Sequence, residues 1–318
     1  MATGGAVRLG FIGLGTMGAG MAANLQKAGH ALVVHDARRA AAAPFLAGGA
    51  TWAETAREVA ASVDILFTSL PGPPEVESVA FGAEGIIAGA APDLAWFDLS
   101  TNAPATLRKL QAAFAARGGH LLDAPVSGGP KGAASGRLAI WVGGEAAVFA
   151  RHQAVLRAIG DQVRLIGPFG SATVAKLAHN LSSYAFNLVM AEVFAMGVKA
   201  GVEPLTLWAA LRQGAMGRRR TFEALGEQFL QHRYDPPAFA LRLAHKDVAL
   251  AVALGKEVGV PMRLASLTLE EMTEALGRGW GDRDSRTPML LQQERAGIEI
   301  KLPAEDIRAV LDAERKAG

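Results

Sequence analysis

Along the first half of the chain, short apolar runs alternate with stretches whose apolar positions recur every three or four residues. The runs Arg8–Ile12, Ala31–Asp36, Ile65–Leu70, Ala95–Leu99, His120–Asp123, Leu138–Val142 and Val163–Ile166 read as strands, several of them apolar without alternation, as when both faces are buried. Between them, Met17–Ala28, Thr51–Ala60, Pro74–Phe81, Thr106–Arg117 and Glu145–Ala158 carry helical spacing. This order predicts an α/β fold, a doubly wound parallel sheet with helices on both faces. After Gly167-Pro168-Phe169-Gly170 the strand pattern stops. One helical pattern runs from Ser171 to about Gly201 without a proline. Shorter ones follow at Pro204–Gln213, Arg219–Gln231, Ala238–Val258 and Met262–Gly277, then a polar break at Gly279–Ser285 and two short helical stretches. Two domains are expected, 1–168 and an all-helical 169–318 that begins with the long helix.

The first strand runs into Gly13-Leu14-Gly15-Thr16-Met17-Gly18, and a helix follows at once. In that setting each glycine of G-x-G-x-x-G has a use. The first permits a tight turn, the second lets backbone approach a pyrophosphate, and the third lets helix and strand pack closely. Free N–H groups at the helix N-terminus then face the phosphates. In a chain with 37 glycines such a match is weak by itself, but the second strand ends in Asp36, 18 residues beyond Gly18. The N-terminal domain is therefore expected to be a Rossmann-type unit that binds NAD or NADP. Asp36 favours NAD, because a carboxylate there accepts hydrogen bonds from both ribose hydroxyls and repels a 2′-phosphate. Arg38 and Arg39 cut the other way, since a guanidinium can pair with that phosphate. As solvated helix-start residues they leave NAD favoured.

Composition narrows the field. Half of the 318 residues are hydrophobic and 19% are charged, a globular balance. The 32 Lys+Arg against 30 Asp+Glu leave a net charge of +2, no footprint for nucleic acid. The absence of cysteine excludes disulfides, zinc–thiolate sites and a thiol nucleophile. The seven histidines show no i, i+4 pairing, so no metal is expected, and His179 reads as a packing residue. Met1–Val7 lacks a basic leader, and the mostly apolar Ala178–Val198 contains His179, Asn180, Ser182, Ser183, Asn187 and Glu192, too polar for a lipid span. A soluble, cytoplasmic protein without membrane or nucleic-acid partners is the expectation. The apolar helix Ser171–Gly201 points to self-association.

Two more constellations carry chemistry. Ser127-Gly128-Gly129, four residues beyond a strand ending in Asp123, can turn successive N–H groups toward an anion such as a substrate carboxylate, or form a plain crossover loop. Lys176 and Asn180 lie four apart near the start of the long helix and so project from one face. Lys246-Asp247 sits in another helical stretch among apolar neighbours.

Taken together and in this order, Gly13–Gly18, Asp123–Gly129, Gly167–Asn180 and Lys246-Asp247-Val248-Ala249-Leu250-Ala251 resemble the motifs of the β-hydroxyacid dehydrogenase family, of 3-hydroxyisobutyrate dehydrogenase type. The resemblance covers nearly the whole chain. It implies an NAD(P)-dependent oxidoreductase acting on a small 3-hydroxyacid or semialdehyde, of the 3-hydroxyisobutyrate or tartronate semialdehyde kind, with Lys176 as the catalytic acid–base group. It further implies that Leu70, Pro71, Glu75 and Thr101 line the cofactor, and that Ser127, Gly128 and Gly129 hold the substrate. Asn180 would orient it, and Lys246 would reach across the interdomain cleft to cofactor or substrate. Arg218, in Arg218-Arg219-Arg220, lies where the family completes its substrate pocket and could pair with a second anionic group, or equally be solvated. Homodimers and homotetramers are both implied. Ala172 and His179 depart from the family pattern, which often has glycine and asparagine there. An imine reductase, which usually lacks the lysine, and a non-catalytic cofactor-binding module are the rival readings.

Overall fold

The computed structural model describes residues 7–317 except 219–222, 227, 258 and 298, and only part of the side chains in the helices beyond residue 180. The chain divides into two compact units, Met1–Ser182 and Ser183–Gly318. The division falls inside the helix Ser171–Lys199.

The first unit is built on strands β1 (Leu9–Ile12), β2 (Leu32–His35), β3 (Thr51–Trp52), β4 (Ile65–Thr68), β5 (Ala95–Asp98), β6 (His120–Asp123), β7 (Val126–Ser127), β8 (Ala139–Gly143) and β9 (Gln162–Gly167). Their order in the sheet is β3-β2-β1-β4-β5-β6-β8-β7, with β9 on β8. Successive side chains leave a strand on opposite faces. Leu9, Phe11, Phe67 and Phe97 therefore build one core while Ile12, Leu66 and Trp96 build the other. Phe11, Phe67 and Phe97 stack across neighbouring strands at 6.1 and 5.7 Å between ring centroids. All four residues of β1, β4 and β5 are buried, which is why these segments show no alternation in sequence.

The expected doubly wound parallel sheet is present, with antiparallel pairing added to it at β8. From β3 to β6 the strands are parallel, but β8 runs antiparallel to both β6 and β7. The two-residue strands β3 and β7 are too short to carry a periodic signal. The stretch Thr51–Ala60, expected to be helical throughout, begins as β3. Its helix is Ala56–Ser62, started by Thr55, whose hydroxyl accepts from Glu58 N.

In the second unit the described elements are helices: Pro204–Gln213, Glu223–Gly226, Leu241–Glu257, Arg263–Gly277, Met289–Ala296 and Ala304–Ala317. Of the expected helix Arg219–Gln231, Glu223–Gly226 is helical and 228–232 forms turns, while Arg219 and Arg220 lie outside the described residues. Glu192 caps the helix Arg263–Gly277 by accepting from Leu264 N and Ala265 N at 2.9 and 3.1 Å. No helix among the described residues is long and apolar enough to cross a membrane.

Candidate active site

The strand order reverses direction around β1, which lies between β2 and β4, and the glycine loop leaves the C-terminal end of β1 at that point. In doubly wound sheets this is where ligands bind. Gly13 holds φ +95°, and a Cβ on it would press on the Ser69 carbonyl. A Cβ on Gly18 would collide with the Gly13 carbonyl oxygen, so these two glycines serve the turn and the packing. Gly15 is different: a Cβ there would meet no protein atom within 4 Å. The N–H groups of Gly15, Thr16 and Met17 find no acceptor among the described residues. Open space in front of unbonded donors at the start of the helix Gly18–Lys27 fits a pyrophosphate.

Asp36, just past β2, turns its carboxylate to this loop. Oδ2 accepts from Leu14 N at 2.7 Å and Oδ1 from Arg38 N at 2.8 Å. Each oxygen keeps a further lone pair for a ribose hydroxyl. Arg39 is occupied elsewhere, pairing with Glu54 at 2.5 Å and lying 5.3 Å over the Trp52 ring. Arg38 is exposed, its Nε 3.7 Å from Asp36.

A buried polar knot fixes the next two loops. Asp98 accepts from Thr68 Oγ1 (2.9 Å), Ser100 N (3.2 Å) and Asn102 Nδ2 (2.9 Å), and Trp96 Nε1 donates to Thr68 Oγ1 at 2.9 Å. Ser100 Oγ in turn accepts from Leu70 N at 3.0 Å. Burial pushes the Asp98 carboxyl above its ordinary value, against the pull of its Asn102, Ser100 and Thr68 hydrogen bonds. The knot holds Leu70 beside the glycine loop, where a Cβ on Gly13 would come within 3.0 Å of Leu70 Cδ2. Thr101 follows at the end of β5, half-buried; Pro71 and Glu75 are exposed on the loop and first helical turn after β4. Sequence reasoning placed Thr101 at the cofactor but did not foresee the clamp that Asp98, Ser100 and Asn102 form.

Asp123, at the end of β6, does comparable work for the long helix. Its two oxygens accept from Gly170 N and Thr173 N, each at 2.7 Å, so a carboxylate sits at the start of the helix Ser171–Lys199. Burial pushes this carboxyl up as well, opposed by the hydrogen bonds from Gly170 and Thr173. With the helix start pinned, Lys176 lies in its second turn, half-buried, and no side chain among the described residues pairs with it. Burial pushes its ammonium below the ordinary lysine value. His179 and Asn180, three and four residues on, share that helical face.

The opposite wall is the loop after β7. Gly128 and Gly129 take φ +136° and +62°, conformations that favour glycine, and Gly128 starts the helix Gly129–Ser135. That helix is tied to the dinucleotide helix. Asn24 Nδ2 donates to the Ala133 carbonyl at 2.7 Å, and Gly20 is the residue of closest approach, since a Cβ there would come within 2.8 Å of Ala133 backbone. Ser127 Oγ lies 3.2 Å from His179 Nε2, and the His179 ring meets Trp141 edge to face at 5.3 Å. The packing role expected of His179 is thus joined by a polar contact with the serine of the expected substrate loop. The fold brings Gly13–Gly18, Asp36 and Leu70 together at one strand end, and Ser127 to the helix of Lys176 and Asn180. Arg218 is exposed in a turn after Pro204–Gln213. Lys246 falls in the helix Leu241–Glu257, and its side chain lies outside the described residues. No group of three or more His, Asp or Glu gathers as metal ligands among the described residues.

Comparison with known proteins agrees with this geometry. Residues 8–167 match the family described as the NAD binding domain of 6-phosphogluconate dehydrogenase, and residues 170–292 match NAD-binding of NADP-dependent 3-hydroxyisobutyrate dehydrogenase. The chain is 34% identical over 294 residues to 2-(hydroxymethyl)glutarate dehydrogenase of Eubacterium barkeri, covering 92% of this chain and 97% of that one. It is 36% identical over 262 residues to 3-hydroxyisobutyrate dehydrogenase of Pseudomonas aeruginosa, covering 81% and 88%. Among solved structures, Mycobacterium tuberculosis 3-hydroxyisobutyrate dehydrogenase with L-serine aligns at a TM-score of 0.63 with 27% identity, over 91% of this chain and all of that one, 100%. The dinucleotide loop, the pinned lysine helix and these relatives converge: the chain belongs to the 3-hydroxyisobutyrate dehydrogenase family of NAD(P)-dependent hydroxyacid dehydrogenases.

Proposed function

We propose that this dehydrogenase interconverts a small 3-hydroxyacid and its semialdehyde, of the 3-hydroxyisobutyrate or tartronate semialdehyde type, with NAD preferred and Lys176 as the acid–base group. The observation that carries the reading is Lys176 itself. It is a half-buried lysine without a charged partner among the described residues, on the helix that meets the Ser127 loop. The nicotinamide, when bound, supplies or accepts the hydride. In reduction the Lys176 ammonium faces the charge developing on the carbonyl oxygen and donates its proton there. In oxidation the neutral amine takes the hydroxyl proton, and burial, by lowering its pKa, makes that form available nearer neutrality. Ser127, Gly128 and Gly129 would receive the substrate carboxylate, and Asn180 would orient the substrate beside the lysine.

NAD is supported by Asp36 facing the loop and by Arg39 being engaged with Glu54 and Trp52, which leaves Arg38 as the remaining guanidinium for a 2′-phosphate. A homodimer or homotetramer is proposed as well, supported by the exposed Val174, Leu177, Phe186 and Val189 along one helix, with the cytoplasm as its proposed setting. Absorbance at 340 nm over a panel of 3-hydroxyacids, with NAD and NADP in parallel, tests the activity and separates it from imine reduction or cofactor binding alone. Lys176→Ala is expected to keep cofactor affinity and lose turnover by several orders of magnitude. Near-normal turnover in that variant overturns the assignment.

A further inference from the structure

The strand order places β3 on the far side of β2 from the glycine loop that follows β1. Both groups that hold Arg39 lie on that far side. Its guanidinium pairs with Glu54 at 2.5 Å and lies 5.3 Å over the ring of Trp52. Trp52 is the last residue of β3, and Glu54 follows it by two residues. The segment is well anchored. Ala53 N donates to the Val34 carbonyl at 3.0 Å, tying the end of β3 to β2, and Glu54 N donates to Glu58 Oε2 at 2.8 Å. His35, the last residue of β2 and the neighbour of Asp36, lies against Trp52 with ring centroids 5.4 Å apart. The cluster therefore borders the carboxylate expected at the ribose. The other cation here is Arg38. Its backbone N–H donates to Asp36 Oδ1 at 2.8 Å, and its exposed side chain brings Nε to 3.7 Å from the same oxygen. Each arginine after β2 thus has a carboxylate of its own.

A 2′-phosphate on the adenosine ribose brings negative charge up to Asp36 and needs a free guanidinium to offset it. Arg39 is well placed to supply one. Arg38 N is bonded to the Asp36 carboxylate, so the Arg39 backbone starts one residue away and its long side chain spans the rest. Instead, Glu54 neutralises that guanidinium and draws it toward β3. We infer that Glu54 is a cofactor-selectivity residue: by holding Arg39 against Trp52 it denies a 2′-phosphate its cation, so that rejection of NADP is shared between Asp36 and a second carboxylate. Glu54 is a positioning residue acting through Arg39, and its role rests on the NAD preference proposed above. Selectivity of this kind comes from a penalty on the wrong ligand, not from an added contact with the right one, so NAD itself is untouched. An exposed ion pair is weak, and the Trp52 ring adds a second modest hold, so the effect is a factor of a few in affinity.

The test uses the full-length protein and calorimetric Kd values for NAD and NADP. The fragments 5′-AMP and 2′,5′-ADP are titrated alongside, because they differ by the 2′-phosphate alone and involve no hydride chemistry. The parent is expected to bind NAD and 5′-AMP more tightly than their 2′-phosphorylated counterparts. In Glu54→Ala the Kd values for NADP and 2′,5′-ADP are expected to fall about fivefold, a change of about 1 kcal/mol. Those for NAD and 5′-AMP should stay within about twofold of the parent, with an unmoved urea midpoint because the pair is exposed. In Glu54→Ala/Arg39→Ala the gain for the 2′-phosphorylated ligands is expected to disappear. An unmoved NADP Kd in Glu54→Ala overturns the inference and leaves Asp36 alone to set the preference. A gain equally large in the double variant overturns it too, since Glu54 would then act by its own charge and not through Arg39. If the parent already binds NADP as tightly as NAD, the NAD reading itself fails, and the role of Glu54 falls with it.

Discussion

Replacing Asp123 by asparagine should loosen the helix that carries Lys176 without removing any atom from the reacting centre. The carboxylate accepts two backbone N–H groups at 2.7 Å, Gly170 N on Oδ1 and Thr173 N on Oδ2. An amide keeps one acceptor and turns an N–H₂ group against the other donor. Losing a hydrogen bond to a charged group is worth about 1.5–3 kcal/mol. No further cost is added for the charge itself, because burial raises the Asp123 carboxyl and so offsets the helix-terminus attraction. Asp123→Asn is therefore expected to destabilise the first unit by about 1.5–3 kcal/mol, a large part of a typical stability of roughly 5–15 kcal/mol, yet to fold. Urea unfolding followed by tryptophan fluorescence measures this, because Trp52, Trp96 and Trp141 all belong to that unit. The functional reading is the pH profile of hydroxyacid oxidation. On the proposed role of Lys176, the parent's rising limb is expected below 10.5, the ordinary lysine value, since burial lowers that group. With the helix start unpinned, Lys176 becomes better solvated and the limb moves up toward that value, a shift that general destabilisation alone would not produce. A loss below about 0.5 kcal/mol, the range of ordinary surface changes, together with an unmoved limb would refute the reasoning.

The glycines of the dinucleotide loop should separate binding from folding. Gly15→Val, placed where a Cβ meets nothing, is expected to leave the urea midpoint unchanged yet weaken NAD at least about tenfold, or about 1.4 kcal/mol, whereas Gly18→Val, forced against the Gly13 carbonyl, should unfold at lower urea even without cofactor. Equal effects of the two on stability would contradict the division of roles. For Asp98 the sign is fixed by its raised pKa. The unfolded chain releases this proton first, so the carboxyl's contribution is complete below 3.8 and declines as pH rises through the higher folded value. Asp98→Asn cannot ionise, and its stability deficit relative to the parent is expected to be smaller at pH 7 than at pH 4. An equal or larger deficit at pH 7 in urea unfolding would show that ionised Asp98 is favoured in the folded state.

Much of this protein is written locally. Strand runs such as Ile65–Thr68 and Ala95–Asp98 are legible because burial on both faces leaves continuous apolar stretches. The helix Pro204–Gln213 is legible because proline and glycine punctuate its ends. The loop Gly13–Gly18 with Asp36 is legible because its chemistry is confined to one strand–turn–helix–strand unit. Lys176 and Asn180 could be placed on one face because helical spacing is a property of the backbone alone.

What only the tertiary structure decided are relations between distant segments. β8 runs antiparallel because it returns from the helix Gly129–Ser135 between β6 and β7, and nothing in its own five residues encodes a direction. Asp123 looks like the end of a strand; that it pins a helix depends on Thr173, 50 residues away. Ser127 and His179 are separated by 52 residues, and nothing in either one's neighbourhood says that the two meet. Sequence periodicity reports which side of an element is buried, because burial is averaged over many neighbours. It does not report which two polar atoms meet, because a hydrogen bond is made at one distance and one angle, set by how the elements pack.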